Sequence, residues 1–222
     1  MWAVRTPSED HVQQRLAQSF ALDRLWGEMM GTLRGDTKEE PLRMLVTVLE
    51  ASGTAYAVIG GVAMQVYSQE PRTTLDIDVA VTQFADVPRA ALIQAGFDHE
   101  GRHAHSDNWR APGAMPRLQR VAVQFSAEDV GIEQAIAGAR VVNAGDFGMR
   151  LASPPDLLAL KLAAAEEPSR RPSKRRQDLV DILLLTEEYP EAAAGVTGLE
   201  ERIRRLGASL LTLGRSRKPE ER

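Results

Sequence analysis

Between Tyr56 and Val81 the chain reads YAVIGGVAMQVYSQEPRTTLDIDVAV, and this stretch restricts what the chain can fold into more than any other. AYAVIG is short, apolar and closed by glycine, the pattern of a buried strand. GVAMQVYSQ then fits a helix that starts at the glycines and ends before Pro71. LDIDVAV alternates Leu75, Ile77, Val79 and Val81 against Asp76, Asp78 and Ala80, as a half-buried strand does. The order is strand, Gly-Gly, helix, then a strand that carries Asp-x-Asp.

That order has a chemical meaning. Period-two geometry puts Asp76 and Asp78 on one face, with side chains about 7 Å apart at Cβ. Carboxylates that close repel each other unless a cation lies between them. Magnesium suits the place, because it takes one or two carboxylates and completes its shell with water and substrate phosphates. Gly60 and Gly61, at a strand end and a helix start, let backbone approach a phosphate and aim N–H groups at it. A haloacid-dehalogenase-like phosphatase also uses Asp-x-Asp, but there the pair follows an apolar strand. Here it lies within one, after PRTTL.

The rest of the chain sets the frame. At 222 residues, 43% apolar and 26% charged, it can bury one good core with a smaller helical part appended. No apolar run approaches the roughly eighteen residues of a membrane span. The N-terminus MWAVRTPSEDHVQQRL lacks the basic-then-apolar order of a signal peptide, so a cytoplasmic location is expected. Absence of cysteine excludes disulfides, thiolate metal sites and cysteine nucleophiles. A net charge of −4 argues against a nucleic-acid coat.

Residues 1–35 hold an amphipathic helix over 8–33, and PLRMLVTVLEASG predicts a second helix ending at Gly53. An α/β core is expected over 36–152, with a helix over VPRAALIQAG, two strands between Phe97 and Ser126 around the loop APGAMPR, a short helix GIEQAIAG, and the strand pair ARVVNA and FGMRLA. A helical part over 153–210 opens at SPPDLLALKLAAAEE, passes a basic loop SRRPSKRR and continues in DLVDILLLTEEY. Residues 211–222 read as a charged, disordered tail.

IGGVAMQVYSQEPRTTLDIDVAV resembles the nucleotidyltransferase superfamily of polymerase-beta-like fold, and more narrowly the AbiEii-type toxin nucleotidyltransferases with their Gly-Gly, then Arg-x-Thr-x-Asp-x-Asp pattern. Arg72, Thr74, Asp76 and Asp78 match in register. LASPPDLLALKLAAAEE and RRQDLVDILLL look like the family's Lys-bearing helix and its later basic-Asp-x-x-Asp helix start. The resemblance implies an α+β fold, a nucleotidyltransferase-like mixed sheet with flanking helices plus a helical C-terminal part. It implies transfer of a nucleoside monophosphate from an NTP to an RNA or protein acceptor, as the toxin of a type IV toxin-antitoxin-like system with an antitoxin-like partner protein and no membrane. Asp76 and Asp78 would be catalytic and hold Mg2+ (or Mn2+). Gly60 and Gly61 would cradle phosphates, with Arg72 and Lys161 as cationic contacts and Thr74 in the same motif. Asp178 and Asp181 would orient Lys161 or Arg175, or cap their helix.

Catalytic members of the superfamily usually carry a third carboxylate on a neighbouring strand. The matching strand here is RVAVQFS, where Gln124 stands at the acid's position. An amide oxygen can bind a metal but carries no charge and is no base at neutral pH. Glu128 and Asp129 follow closely and are the alternative acids. The rival reading is therefore a non-catalytic nucleotide-binding or interaction protein of the same fold. His103 and His105 either share the cleft or decorate a hairpin, Trp109 and Arg110 are a candidate base-stacking pair, and SRRPSKRR either touches RNA or triphosphate or is a solvated loop.

Overall fold

A computed structural model of the chain describes residues 9–29, 37–70, 74 and 76–215. These divide into two compact units with the boundary between Ser153 and Pro154. The first unit begins with helices α1 (Glu9–Met29) and α2 (Glu39–Ala51), the second of which ends where Gly53 turns left-handed at φ 63°. It continues through β1 (Tyr56–Ile59), α3 (Gly60–Tyr67), β2 (Asp76–Val81), α4 (Arg89–Gln94), β3 (Asp98–His103), β4 (Ser106–Arg110), β5 (Ala122–Ser126), α5 (Ile132–Ala137), β6 (Arg140–Ala144) and β7 (Phe147–Leu151).

The strands form one seven-stranded mixed sheet in the order β3-β4-β5-β2-β1-β7-β6. β1 runs antiparallel to β2 and parallel to β7, while β2 and β5 are parallel. All four residues of β1 are buried, as a strand in the middle of a covered sheet requires, and this is why AYAVIG is apolar without alternation. β2 does alternate at its start: Asp76 and Asp78 are half-buried on one face, and Ile77 and Val79 are fully buried on the other. Leu42, Leu45 and Leu49 from α2, Val62 and Met64 from α3, and Phe125 from β5 complete the core.

Residues 97–126 hold three strands rather than two. GRHAHSDNWR is a hairpin, with β3 and β4 paired antiparallel from Asp98 opposite Arg110 to His103 opposite Ser106. β3 stands at the edge of the sheet and reads DHEGRH, so it buries no full side chain and leaves no period-two trace in the sequence. The turn at Ala104 and His105 also lacks the glycine or asparagine that marks tight hairpins.

The second unit comprises α6 (Pro154–Glu166), α7 (Pro172–Glu188), α8 (Pro190–Ala194) and α9 (Leu199–Arg215). α7 starts inside the basic stretch, with Pro172 in its first turn, so SKRR is helix and not loop. Arg175 donates to the carbonyl of Ala165 at 2.7 Å and Arg176 to that of Leu210 at 2.8 Å, tying the stretch to α6 and α9. Arg202 forks onto Glu166 at 2.6 and 2.8 Å. α9 runs on to Arg215, into the stretch expected as a tail, and residues 216–222 lie outside the described part. Among the described residues no helix is long and apolar enough to cross a membrane.

Candidate functional site

The two glycines are fixed by what lies beneath them. Ile59 of β1 stands opposite Asp78 of β2, and the next residue, Gly60, turns left-handed at φ 61° to begin α3. A Cβ on Gly60 would sit 2.6 Å from Cγ of Asp78 and 2.7 Å from its Cβ. A Cβ on Gly61 would sit 2.8 Å from Cβ of Thr74. Those are atoms at the root of each side chain and cannot swing aside. Gly61 N–H donates to Oδ2 of Asp78 at 3.4 Å, so the first turn of α3 closes directly onto the acid. The tight approach that the glycines permit is thus to Asp78 and Thr74.

The register across the sheet places the remaining candidates. Asp78 pairs with Gln124 of β5, and Gln124 with Asn108 of β4; Asp76 pairs with Ala122, and Ala122 with Arg110. Asp76, Asp78, Gln124, Asn108 and Arg110 therefore share one face. A polar cavity of about 270 Å³ opens there, lined by Asp76, Glu100, His103, Asn108, Arg110 and Gln124. Glu100 is tied to Arg110 at 3.0 Å and Arg117 at 3.7 Å. Glu100 and Asn108 carry no motif; only the pairing of β3, β4 and β5 brings them to the cleft.

Glu128 and Asp129 lie past the end of β5, whose Ser126 pairs with Ala80. β5 has ended before Glu128, whose backbone turns left-handed at φ 65°, so this acid is off the strand that carries Gln124. Asp129 instead faces His105 at 3.5 Å on the surface. His103 lines the cleft and His105 sits in the hairpin turn, so the two do not converge. Trp109 cannot stack a base. Its ring is 1% exposed on the opposite face, packed against His99 at 4.7 Å and under the Arg89 guanidinium, where fully buried Asp107 bonds both partners at 2.7 Å. Arg72 lies outside the described residues.

Among the described residues no three His, Cys, Asp or Glu side chains gather as a metal group. Two carboxylates with an amide alongside still fit an ion that takes one or two carboxylates and fills its shell from water and phosphate, as magnesium does.

A family model described as nucleotidyl transferase AbiEii toxin, type IV TA system, matches residues 43–220. The chain belongs to this family. No curated protein matches the sequence significantly. Among solved structures, an antigenic nucleotidyltransferase-like protein from Paracoccidioides brasiliensis is 18% identical over 80% of this chain and 89% of its own, with a TM-score of 0.50. The antibiotic-resistance factor ANT(2'')-Ia is 12% identical over 80% of this chain and 92% of its own, with a TM-score of 0.47. The first likeness shows the fold, a nucleotidyltransferase-like mixed sheet with flanking helices.

The helical unit of this AbiEii chain has its own charged centre. Lys161 of α6 reaches Asp178 at 3.0 Å and Asp181 at 2.7 Å, both on α7 and both buried, and Arg170 binds the second oxygen of Asp178 at 2.8 Å. Asp178 thus orients Lys161, and Arg175 is held elsewhere, on the Ala165 carbonyl. Burial pulls the Lys161 ammonium down, but the Asp181 and Asp178 carboxylates outweigh it and its pKa is raised above the ordinary lysine value.

Gly60→Ala is expected to cost about 2 to 5 kcal/mol in chemical denaturation, the sum of a left-handed backbone and a forced clash with Asp78. Gly53→Ala is the control: its φ of 63° is as strained but nothing lies within 4 Å, so only the backbone part, about 1 to 2 kcal/mol, should appear. Lys161→Met leaves two buried carboxylates short of a cation and is expected to lose about 3 to 5 kcal/mol at pH 7. Because the folded pKa of Lys161 is raised, its contribution is complete below the unfolded lysine pKa and fades as pH climbs through the folded one. The stability gap between wild type and Lys161→Met, followed by urea unfolding, should narrow in that alkaline window.

Proposed function

We propose that the chain binds a nucleoside triphosphate with Mg2+ (or Mn2+) at Asp76 and Asp78 and transfers the nucleoside monophosphate to a hydroxyl of an RNA or protein acceptor. It would act in the cytoplasm as the toxin of a two-component system restrained by an antitoxin-like partner. The observation that carries this reading is the closure of the Gly60-Gly61 turn onto Asp78, with Asp76 beside it at the edge of a polar cleft. Membership in the AbiEii family supports it.

In this reading Asp76 and Asp78 hold the ion, whose positive charge screens the triphosphate and stabilises the charge that develops on the leaving group. The first turn of α3 and Arg72 bind phosphate oxygens. The acceptor hydroxyl enters from the cleft lined by Asn108, Arg110 and Gln124. Its oxygen bonds to the α-phosphorus, the bond from that phosphorus to the bridging oxygen breaks, and pyrophosphate departs with the electron pair. Gln124 cannot take the acceptor's proton, which therefore passes to cleft water. The same observation favours a second reading, in which the nucleotide is bound and not transferred, because Gln124 stands in register with Asp78 where a third carboxylate would serve.

Thermal shift tests the binding that both readings share, and a transfer assay separates them. Thermal shift with each NTP should show Mg2+-dependent stabilisation, about 2.7 kcal/mol at a hundredfold excess over Kd, and the Asp76→Asn, Asp78→Asn double variant should lose the Mg2+-dependent part. Equal stabilisation in both proteins would remove the metal site. Labelled NTP incubated with total RNA or protein and Mn2+ tests transfer, and Gln124→Asp is expected to raise the rate by roughly a hundredfold to ten-thousandfold by restoring a base. A brisk wild type that Gln124→Asp leaves unchanged would remove Gln124 from the acid's position.

A further inference from the structure

The family match begins at residue 43, yet the segment before it reaches the backbone that leads into the acid-bearing strand. Lys38, immediately ahead of α2, has a side chain only 1% exposed. Its ammonium pairs with Asp23 of α1 and donates to the carbonyl of Thr74 at 3.2 Å. Thr74 is the residue against which Gly61 closes, and its hydroxyl donates to the carbonyl of Asp76 at 3.5 Å. One buried cation thus joins α1, the start of α2 and the backbone leading into β2.

We infer that Lys38 and Asp23 are positioning residues, and that α1 serves to clamp Thr74 so that Asp76 and Asp78 meet the Gly60-Gly61 turn in one fixed geometry. Only the nucleotide arm of the test below rests on the function proposed above.

A buried ion pair is a poor way to gain stability, because desolvation offsets its attraction and apolar residues of similar size often do as well or better. Burial pushes Asp23 up and Lys38 down against the pull of each on the other, so this pair bears that cost. What an apolar pair could not supply is a donor for the Thr74 carbonyl. An ammonium has three donor positions, and here it spends them on two elements at once. Removing both charges together therefore distinguishes positioning from stability.

The experiment uses the full chain with Asp23→Leu and Lys38→Met combined, so that neither charge is left buried alone. Urea unfolding is expected to be near that of wild type. Backbone hydrogen exchange at Thr74, Asp76 and Asp78 should accelerate at least tenfold, with β6 and β7 unchanged. In the nucleotide arm, the Kd for ATP, GTP, CTP or UTP with Mg2+, whichever the wild type binds, should rise at least tenfold, and Lys38→Arg, which keeps charge and donors, should recover most of it. Exchange at 74–78 within twofold of wild type overturns the inference, as does acceleration spread evenly over the whole sheet. A wild type that binds no NTP counts against the proposed function alone, since the exchange arm still decides the clamp. If the double variant does not fold, Asp23→Asn, which weakens the pair and keeps an acceptor for the ammonium, is read in the same way: faster exchange at 74–78 supports the clamp and unchanged exchange overturns it.

Discussion

The geometry of the first unit depends on the contact between the opening turn of α3 and the side chain of Asp78. Strand β1 delivers the chain to a point directly opposite Asp78, and the chain passes into α3 over that carboxylate. Any side chain at residue 60 or 61 would occupy space already held by Asp78 or Thr74. The turn, the strand and the acid consequently fix one another, and the Gly61 N–H directed at the carboxylate adds an electrostatic reason for a negative charge at that place.

From that contact the polar face of the sheet extends outward through register. Gln124 and Asn108 follow Asp78 across β5 and β4, and Ala122 and Arg110 follow Asp76. The opposite face is closed by apolar groups and by a network in which Asp107 holds Arg89 and His99 around buried Trp109. One side of the same strands is thus committed to packing and the other lines a polar cleft. Both units also use a buried lysine between elements: Lys38 with Asp23, and Lys161 with Asp178 and Asp181. In the second case two carboxylates raise the lysine above its ordinary value, and in the first a single carboxylate does not outweigh burial.

The alternation in LDIDVAV was sufficient to place Asp76 and Asp78 on one face, because side-chain direction along a strand follows from local geometry. The apolar continuity of AYAVIG and the glycines after it likewise gave β1 and the start of α3. Strand β3 was not legible, since an edge strand with polar residues on both faces has no burial to enforce a pattern. Trp109 beside Arg110 resembled a stacking pair in the sequence. Adjacent residues on a strand point to opposite faces, and the hairpin with β3 sent the ring inward and the guanidinium to the cleft. SRRPSKRR looked like a loop because its charge masks the helix that Pro172 opens.

The sequence by itself therefore determined what depends on near neighbours along the chain: the strand-turn-helix-strand order, the pairing of two acids on one face, and the glycines that make the turn possible. Tertiary structure alone decided which residues join them. Gln124 lies opposite Asp78 through the parallel pairing of β2 with β5, Glu100 and Asn108 enter the cleft through β3 and β4, and Lys38 reaches Thr74 from thirty-six positions earlier in the chain. The physical reason is that local steric preferences fix the direction of a side chain, whereas its partners are set by strand register and burial, which involve residues far apart in the chain.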